Sequence, residues 1–219
     1  AVGVPGTVSG MEYAREKYGT MKRADLIAPS IQLAEKGFAL DQGDIDMLWT
    51  STADFQKDPV SGAIFLNKGQ PFQVGQKLVQ KDLGKTLRAI SQNGPDGFYK
   101  GWVGQAIVAS SQAGKGIITQ ADLDQYKTRE LPPVECDYRG YRVISAPPPS
   151  SGGVIICEML NILEGYPLKD LGFRSAQSVH YQIEAMRHAY VDRNSYLGDP
   201  DFVKNPIARL TDKAYAAQI

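Results

Sequence analysis

Three groups of side chains in the 219-residue sequence have the types and spacing for chemistry. Ser150-Ser151-Gly152-Gly153 follows an alternating run and opens a helical one, which is the position of an anion-binding turn. Backbone N–H groups and the positive helix end placed there would hold a carboxylate or a phosphate. No Gly-Lys-Ser/Thr follows, and the G-x-G-x-x-G and G-x-S-x-G spacings are absent, so this is neither a P-loop nor a nucleophile elbow. The structural alternative is that Ser caps the helix and the glycines permit close packing. His180, Glu184 and His188 stand at i, i+4 and i+8, on one face of a helix. Zinc would need further ligands from a neighbouring element and the tighter H-E-x-x-H geometry, so a solvated face, or one polar partner buried against a domain contact, is the preferred reading. Asp192, Arg193, Tyr196, Asp199 and Asp201 form a dense polar cluster. Paired carboxylates suit acid–base work, but such a cluster more often holds a helix end and its turn through hydrogen bonds.

The elements that must position these groups are legible around them. Val134, Cys136 and Tyr138 alternate, Arg139-Gly140 makes a turn, and Tyr141, Val143 and Ser145 alternate again, which predicts a strand, tight turn and strand. Arg139 and Arg142 flank that turn and are expected to be exposed. Pro147-Pro148-Pro149 must leave the sheet, because proline donates nothing to a ladder. A helix then runs through Ile156, Leu160 and Leu163 to Gly165. A long one begins near Ser175, carries Val179, Ile183, Met186, Ala189 and Tyr190 toward Leu197, and stops at Gly198-Asp199-Pro200-Asp201.

Upstream, the first ten residues, with three glycines and a proline, read as a loop, and a helix fits Tyr13 to Tyr18. Arg23 to Lys36 is helical by its Ile27, Ile31 and Ala34 spacing, with Leu26 and Leu33 widening the apolar face and Gly37 at its end. Pro29 makes this helix either kink or begin later, near Ser30. Asp41 caps a helix through Ile45, Leu48 and Trp49. Ser51 to Val79 breaks into turns, with at most a small strand at Ala63 to Leu66. Helices follow from Lys81 to Asn93-Gly94-Pro95 and from Trp102 to Gln112, and Thr119 reads as an N-cap. The fold class is α+β, mostly helical with one β-hairpin.

Lys plus Arg and Asp plus Glu both total 24, so the formal charge is zero. That balance argues against a dedicated nucleic-acid or acidic-membrane binder. No apolar run approaches a membrane span, and the start shows no signal peptide; beginning abruptly without Met, it is expected to be either a processed chain or a boundary set within a longer one, and an upstream signal stays open. Cys136 and Cys157 form no CxxC pair, and Cys157 lies in the apolar run Val154-Ile155-Ile156-Cys157, so both are expected to be structural and unpaired.

Five strings, in order, carry a family resemblance. The most characteristic is Tyr138-Arg139-Gly140-Tyr141 followed by Ala146-Pro147-Pro148-Pro149-Ser150-Ser151-Gly152-Gly153. The others are Val4-Pro5-Gly6-Thr7-Val8, Asn93-Gly94-Pro95 with Phe98-Tyr99, Ile118-Thr119 with Asp122-Leu123, and Asp192-Arg193 with Tyr196-Leu197-Gly198-Asp199-Pro200. Together they resemble the large subunit of γ-glutamyltranspeptidases and cover nearly the whole chain.

The resemblance implies an N-terminal-nucleophile hydrolase, with this chain part of an α/β/β/α sandwich and residues 1–219 the middle-to-late portion of the large subunit. In that family a precursor cuts itself in two. The new N-terminal Thr of the small subunit attacks the γ-glutamyl amide of glutathione-like peptides, activated by its own α-amine. Thr7, Thr119 and Thr211 are internal and offer no such amine, so the expectation is no catalytic residue in this chain and no turnover by it alone. Ser150, Ser151, Gly152 and Gly153 are expected to line the substrate cleft. The expected partners are the small subunit, the rest of the large subunit and a small peptide substrate, with no nucleic acid and no membrane span. No metal or organic cofactor is implied, and the implied location is periplasmic or extracellular. A cephalosporin or glutaryl acylase of the same branch is the nearest alternative, and a non-catalytic scaffold or binding module the alternative of another class.

Overall fold

The computed structural model describes residues 3–219, which form two compact units with the boundary after Arg129. Among its described residues the first unit is mainly helical, with one short two-stranded ribbon and an isolated bridge between Asn67 and Gln70. Helix α1 spans Thr7–Tyr18 and so takes in residues expected to be loop; the part of that loop reading that falls on Ala1 and Val2 lies outside the described residues. Tertiary bonds explain the early start. The buried Tyr99 hydroxyl donates to Pro5 O at 2.7 Å and accepts from Ser9 N at 3.3 Å, while Ser9 Oγ lies 2.8 Å from Thr128 Oγ1. These bonds hold a first turn whose own glycines would favour a loop.

Helix α2 (Arg23–Lys36) runs through Pro29 without restarting at Ser30. Ile31 and Ala34 are buried as predicted, but Leu26 and Leu33 are exposed. After Gly37 comes strand β1 (Phe38–Ala39), then α3 (Gln42–Trp49), where Asp41 and Asp44 form a reciprocal capping box. The region expected to be turns with a small strand instead holds helices α4 (Thr52–Lys57) and α5 (Pro59–Phe65). Asp58-Pro59, read as a turn, starts α5: the Asp58 carboxylate accepts from Val60 N and Ser61 N, and Pro59 occupies the first turn. Phe55 and Phe65 stack at 5.1 Å between the two helices. Strand β2 (Lys77–Leu78) pairs antiparallel with β1. Helix α6 (Lys81–Asn93) packs on α2, with Gly84 against the Glu35 side chain and Arg88 Nε and Nη2 each 2.6 Å from a Glu35 oxygen. Helices α7 (Asp96–Tyr99), α8 (Gly101–Ala113) and α9 (Gln120–Gln125) complete the unit, the last with the predicted Thr119 cap.

The second unit opens on the predicted hairpin of β3 (Val134–Tyr138) and β4 (Tyr141–Ser145), paired from Val134↔Ser145 to Tyr138↔Tyr141. Arg139 and Gly140 both have positive φ, as a two-residue turn matched to strand twist requires. Helices α10 (Gly152–Glu164), α11 (Ala176–Tyr196), α12 (Ile207–Leu210) and α13 (Lys213–Ala216) follow. Helix α10 is central: it packs against α11, α12, α13 and both strands. Its core is Val134, Val154, Cys157 and Leu210, with a second cluster of Ile162, Ala185 and Ala216.

The expectation of two unpaired cysteines is wrong. Cys136 and Cys157 form a disulfide, because packing α10 on β3 brings their Cα atoms to 5.9 Å, inside the bridging range. The bridge closes a ring that contains the whole hairpin turn, β4 and the loop before α10. Among the described residues no helix is long and apolar enough to cross a membrane.

Candidate functional site

The loop Pro147 to Ser151 joins β4 to α10, and Gly153 lets the helix start where it does. A Cβ at Gly153 would sit 2.4 Å from Ala146 O and 3.1 Å from Ser145 Cβ, so only glycine allows this approach of helix to strand. The turn itself is tied by Ser150 N donating to Pro147 O at 3.1 Å. Ser150 Oγ accepts from Gly152 N at 3.4 Å, and Ser151 makes no side-chain cap. Ser151 Oγ instead accepts from Arg193 Nε at 2.9 Å.

Arg193 reaches the loop from the last turn of α11, with a second bond to Asn194 Oδ1 at 2.9 Å and its guanidinium 5.9 Å from the Tyr190 ring centre. Pro148, Pro149, Ser151, Arg193, Leu197 and Asp199 line a polar recess of about 270 Å³ there. Two of the predicted groups therefore meet: the Ser/Gly loop and the polar cluster at the end of α11. The rest of the cluster does hold a helix end and turn. Asp199 Oδ1 accepts from Asp201 N at 3.0 Å, Asn205 clasps Gly198 through two bonds of 2.8 and 3.0 Å, and Arg209 lies 4.5 Å from the Tyr196 ring centre.

The chemistry open to this recess follows from its donors. A guanidinium is always protonated and accepts no proton, so it leaves Ser151 a neutral hydroxyl and not an activated nucleophile. Neither histidine lines the recess. With the Arg193 guanidinium and the Asp199 carboxylate both lining it, the recess suits holding a polar ligand that presents charge of both signs. His180, Glu184 and His188 do share α11, but both histidines are exposed and Glu184 accepts two bonds from Arg187 Nη1, at 2.8 and 2.9 Å. Among the described residues no group of three His, Cys, Asp or Glu side chains is placed to hold a metal.

Arg139 and Arg142 are exposed, as expected, and both are used. Arg142 pairs with Glu135 across the hairpin. Arg139 donates its backbone N–H to Glu164 Oε1 at 2.8 Å and its Nη2 to Tyr166 O at 2.6 Å, so the hairpin turn grips the C-terminal end of α10.

Sequence reasoning missed Glu158. It is fully buried on α10, and neither carboxyl oxygen has a hydrogen-bond partner of ordinary geometry. Burial pushes its pKa up to about 8; the Asp192 carboxyl beside it acts in the same direction and Arg209 opposes. Asp192 is itself buried and accepts from the Tyr215 hydroxyl at 2.5 Å, which holds that phenol above its ordinary range. The available signal was a lone acid inside the apolar stretch Val154-Ile155-Ile156-Cys157-Glu158-Met159-Leu160.

A sequence model of the gamma-glutamyltranspeptidase family matches residues 1–219. The chain belongs to the γ-glutamyltranspeptidase family. It is 77% identical, over all of its length, to a glutathione hydrolase proenzyme of Pseudomonas sp. (strain A14), of which it covers 38%. It is 44% identical over 99% of its length to an acylase ACY 1 proenzyme of Pseudomonas sp. (strain V22), covering 39% of that protein. A γ-glutamyltranspeptidase crystal structure from Helicobacter pylori superposes with a TM-score of 0.96 at 44% identity, covering 99% of this chain and 62% of that one. The fold is thus a γ-glutamyltranspeptidase fold, and the chain spans well under half the length of the curated relatives it matches.

Proposed function

We propose that residues 1–219 are the middle-to-late portion of the large subunit of an enzyme that hydrolyses or transfers the γ-glutamyl group of glutathione and related γ-glutamyl amides. The observation that carries this is 77% identity along the whole chain to a protein named as a glutathione hydrolase proenzyme. The nucleophile is a Thr outside residues 1–219, at the head of the small subunit. Within the chain Thr7, Thr119 and Thr211 are internal and lack the α-amine that would serve as their base.

In this reading Ser150, Ser151 and Gly152 line one wall of the substrate cleft, with Ser151 reaching the recess, while Gly153, buried against Ala146 and Ser145, sets the start of α10 behind that wall. Arg193 fixes Ser151 and places a guanidinium in the same recess as the Asp199 carboxylate, matching a peptide that carries both free carboxylates and an amine. The partners are the small subunit, the rest of the large subunit and a small peptide substrate. The location is periplasmic or extracellular, which the Cys136–Cys157 disulfide supports, since such bonds persist in oxidising compartments.

Identity of 44% to a relative named as an acylase favours a second reading, a glutaryl or cephalosporin acyl pocket on the same scaffold. The assembled protein decides. Turnover of γ-glutamyl-p-nitroanilide with none of glutaryl substrates supports the first reading; the reverse overturns it. The 219-residue chain alone is expected to turn over neither, and activity from it would show a nucleophile within these residues.

A further inference from the structure

Glu158 and Asp192 are two carboxyl groups buried side by side between α10 and α11. Two ionised carboxylates in one dry site repel strongly, and a buried carboxyl with no partner carries a large desolvation cost. One proton between the two removes both costs. Tyr215 from α13 already donates to Asp192 Oδ2, which keeps Asp192 the accepting member and leaves Glu158 to carry the proton. Among the described residues Arg209 from α12 is the cation that acts on Glu158, and it is turned to the rings of Tyr196 and Tyr215 at 4.5 and 4.9 Å. The strands packed on α10 contribute Val134 and the disulfide there, both uncharged.

Ser151 precedes Glu158 by seven residues, about two helical turns, so both lie on the same side of α10. Asp192 is the immediate neighbour of Arg193 on α11. The carboxyl pair therefore joins the same two helices that the Arg193–Ser151 bond joins, about two turns further along α10.

We propose that Glu158 and Asp192 hold one proton between them in the folded chain and that this proton keeps Arg193 in register with Ser151, making Glu158 a positioning residue for the recess. Raising the pH releases that proton from Glu158 to solvent. The two carboxylates then repel, α10 and α11 separate locally, and Arg193 withdraws from Ser151. The shared proton stands on its own; its consequence for substrate handling rests on the reading of Ser150 to Gly152 as cleft lining.

The test is a carbon-detected NMR titration of the Glu158 carboxyl in the assembled protein, with hydrogen exchange of the 150–156 segment in parallel. The Glu158 midpoint is expected near 8, far above an ordinary glutamate at about 4.3. A midpoint in the ordinary range overturns the proposal without any variant having to fold. Corrected for intrinsic rates, exchange at 150–156 should rise about tenfold between about pH 6 and about pH 9 in the wild type and stay flat in Glu158→Gln. Equal pH dependence in both proteins, or none in either, would overturn the positioning role. In the assembled protein, Glu158→Gln is expected to remove an alkaline loss seen in KM while leaving kcat near wild type. Absence of γ-glutamyl turnover there would sink the cleft reading alone and leave the titration result standing.

Discussion

Glu12 in the first unit and Glu158 in the second are both buried glutamates on helices, and their surroundings drive them in opposite directions. Glu12 accepts from Arg15 Nε and Nη2 at 2.9 and 2.8 Å and also from Arg23. Those bonds, first with Arg15 and then with Arg23, hold its carboxyl far below the usual range. Glu158 meets an apolar helix interior and a second carboxyl, and rises. Burial alone therefore decides nothing about charge; the partner that burial supplies does. The contrast extends to how each unit is held. The first relies on ion pairs and helix caps, and the second adds a covalent bridge at the centre of its core.

The bridge is where the comparison breaks most easily. Replacing both cysteines by alanine should destabilise the second unit by roughly 3 kcal/mol, as expected for a covalent ring of this size. Peptide-resolved hydrogen exchange should accelerate across residues 130–219 and leave residues 3–129 unchanged. Uniform acceleration would mean that the bridge sustains both units.

The next effect belongs to the first unit and carries a pH signature. Glu12 has a folded pKa below its unfolded value, so its contribution is present above about pH 4.5 and is lost as pH falls from there. Glu12→Gln should cost about 2 kcal/mol near neutrality, because it strands two guanidiniums on a neutral amide. It should also flatten the acid limb of the first unit's stability curve. Both tryptophans, Trp49 and Trp102, lie in that unit, so their fluorescence follows it during acid unfolding. An unchanged acid limb in the variant would remove Glu12 from the account.

How much of this was legible follows the range of the interactions. The hairpin, the Asp41 and Thr119 caps and the helices flanking Pro147 to Gly153 depend on residues within a few positions of each other, and periodicity and cap chemistry exposed them. The Asp58-Pro59 start of α5 is equally local, but the same dipeptide also begins turns, so the pattern admitted two readings. The disulfide and the Glu158–Asp192 pair join residues 21 and 34 positions apart in the chain, and only packing α10 on β3 and α11 creates them. The loop and the polar cluster were both recognised, yet their meeting through Ser151 and Arg193 spans 42 positions and no spacing rule reaches that far.

The smallest effect tests whether caps matter equally in the two units. Thr119 caps α9 in a reciprocal box: Thr119 N donates to Asp122 Oδ2 at 2.8 Å, and Asp122 N returns to Thr119 Oγ1 at 3.4 Å. Ser175 caps α11 through one bond, from Ser178 N at 3.1 Å. The capped helices differ more than the caps do. Helix α9 has 6 residues, so its cap is a large share of what defines it, and its buried Leu123 depends on the helix keeping its place. Helix α11 has 21 residues and buries Ala185, Ala189 and Asp192 well beyond its first turn. Thr119→Ala should therefore cost about 1 kcal/mol and speed exchange through all of α9, whereas Ser175→Ala should cost about half that and fray only the first turn of α11. Equal and purely local fraying in both variants would show that Leu123 holds α9 without its cap, and that the first unit depends on packing as much as the second does.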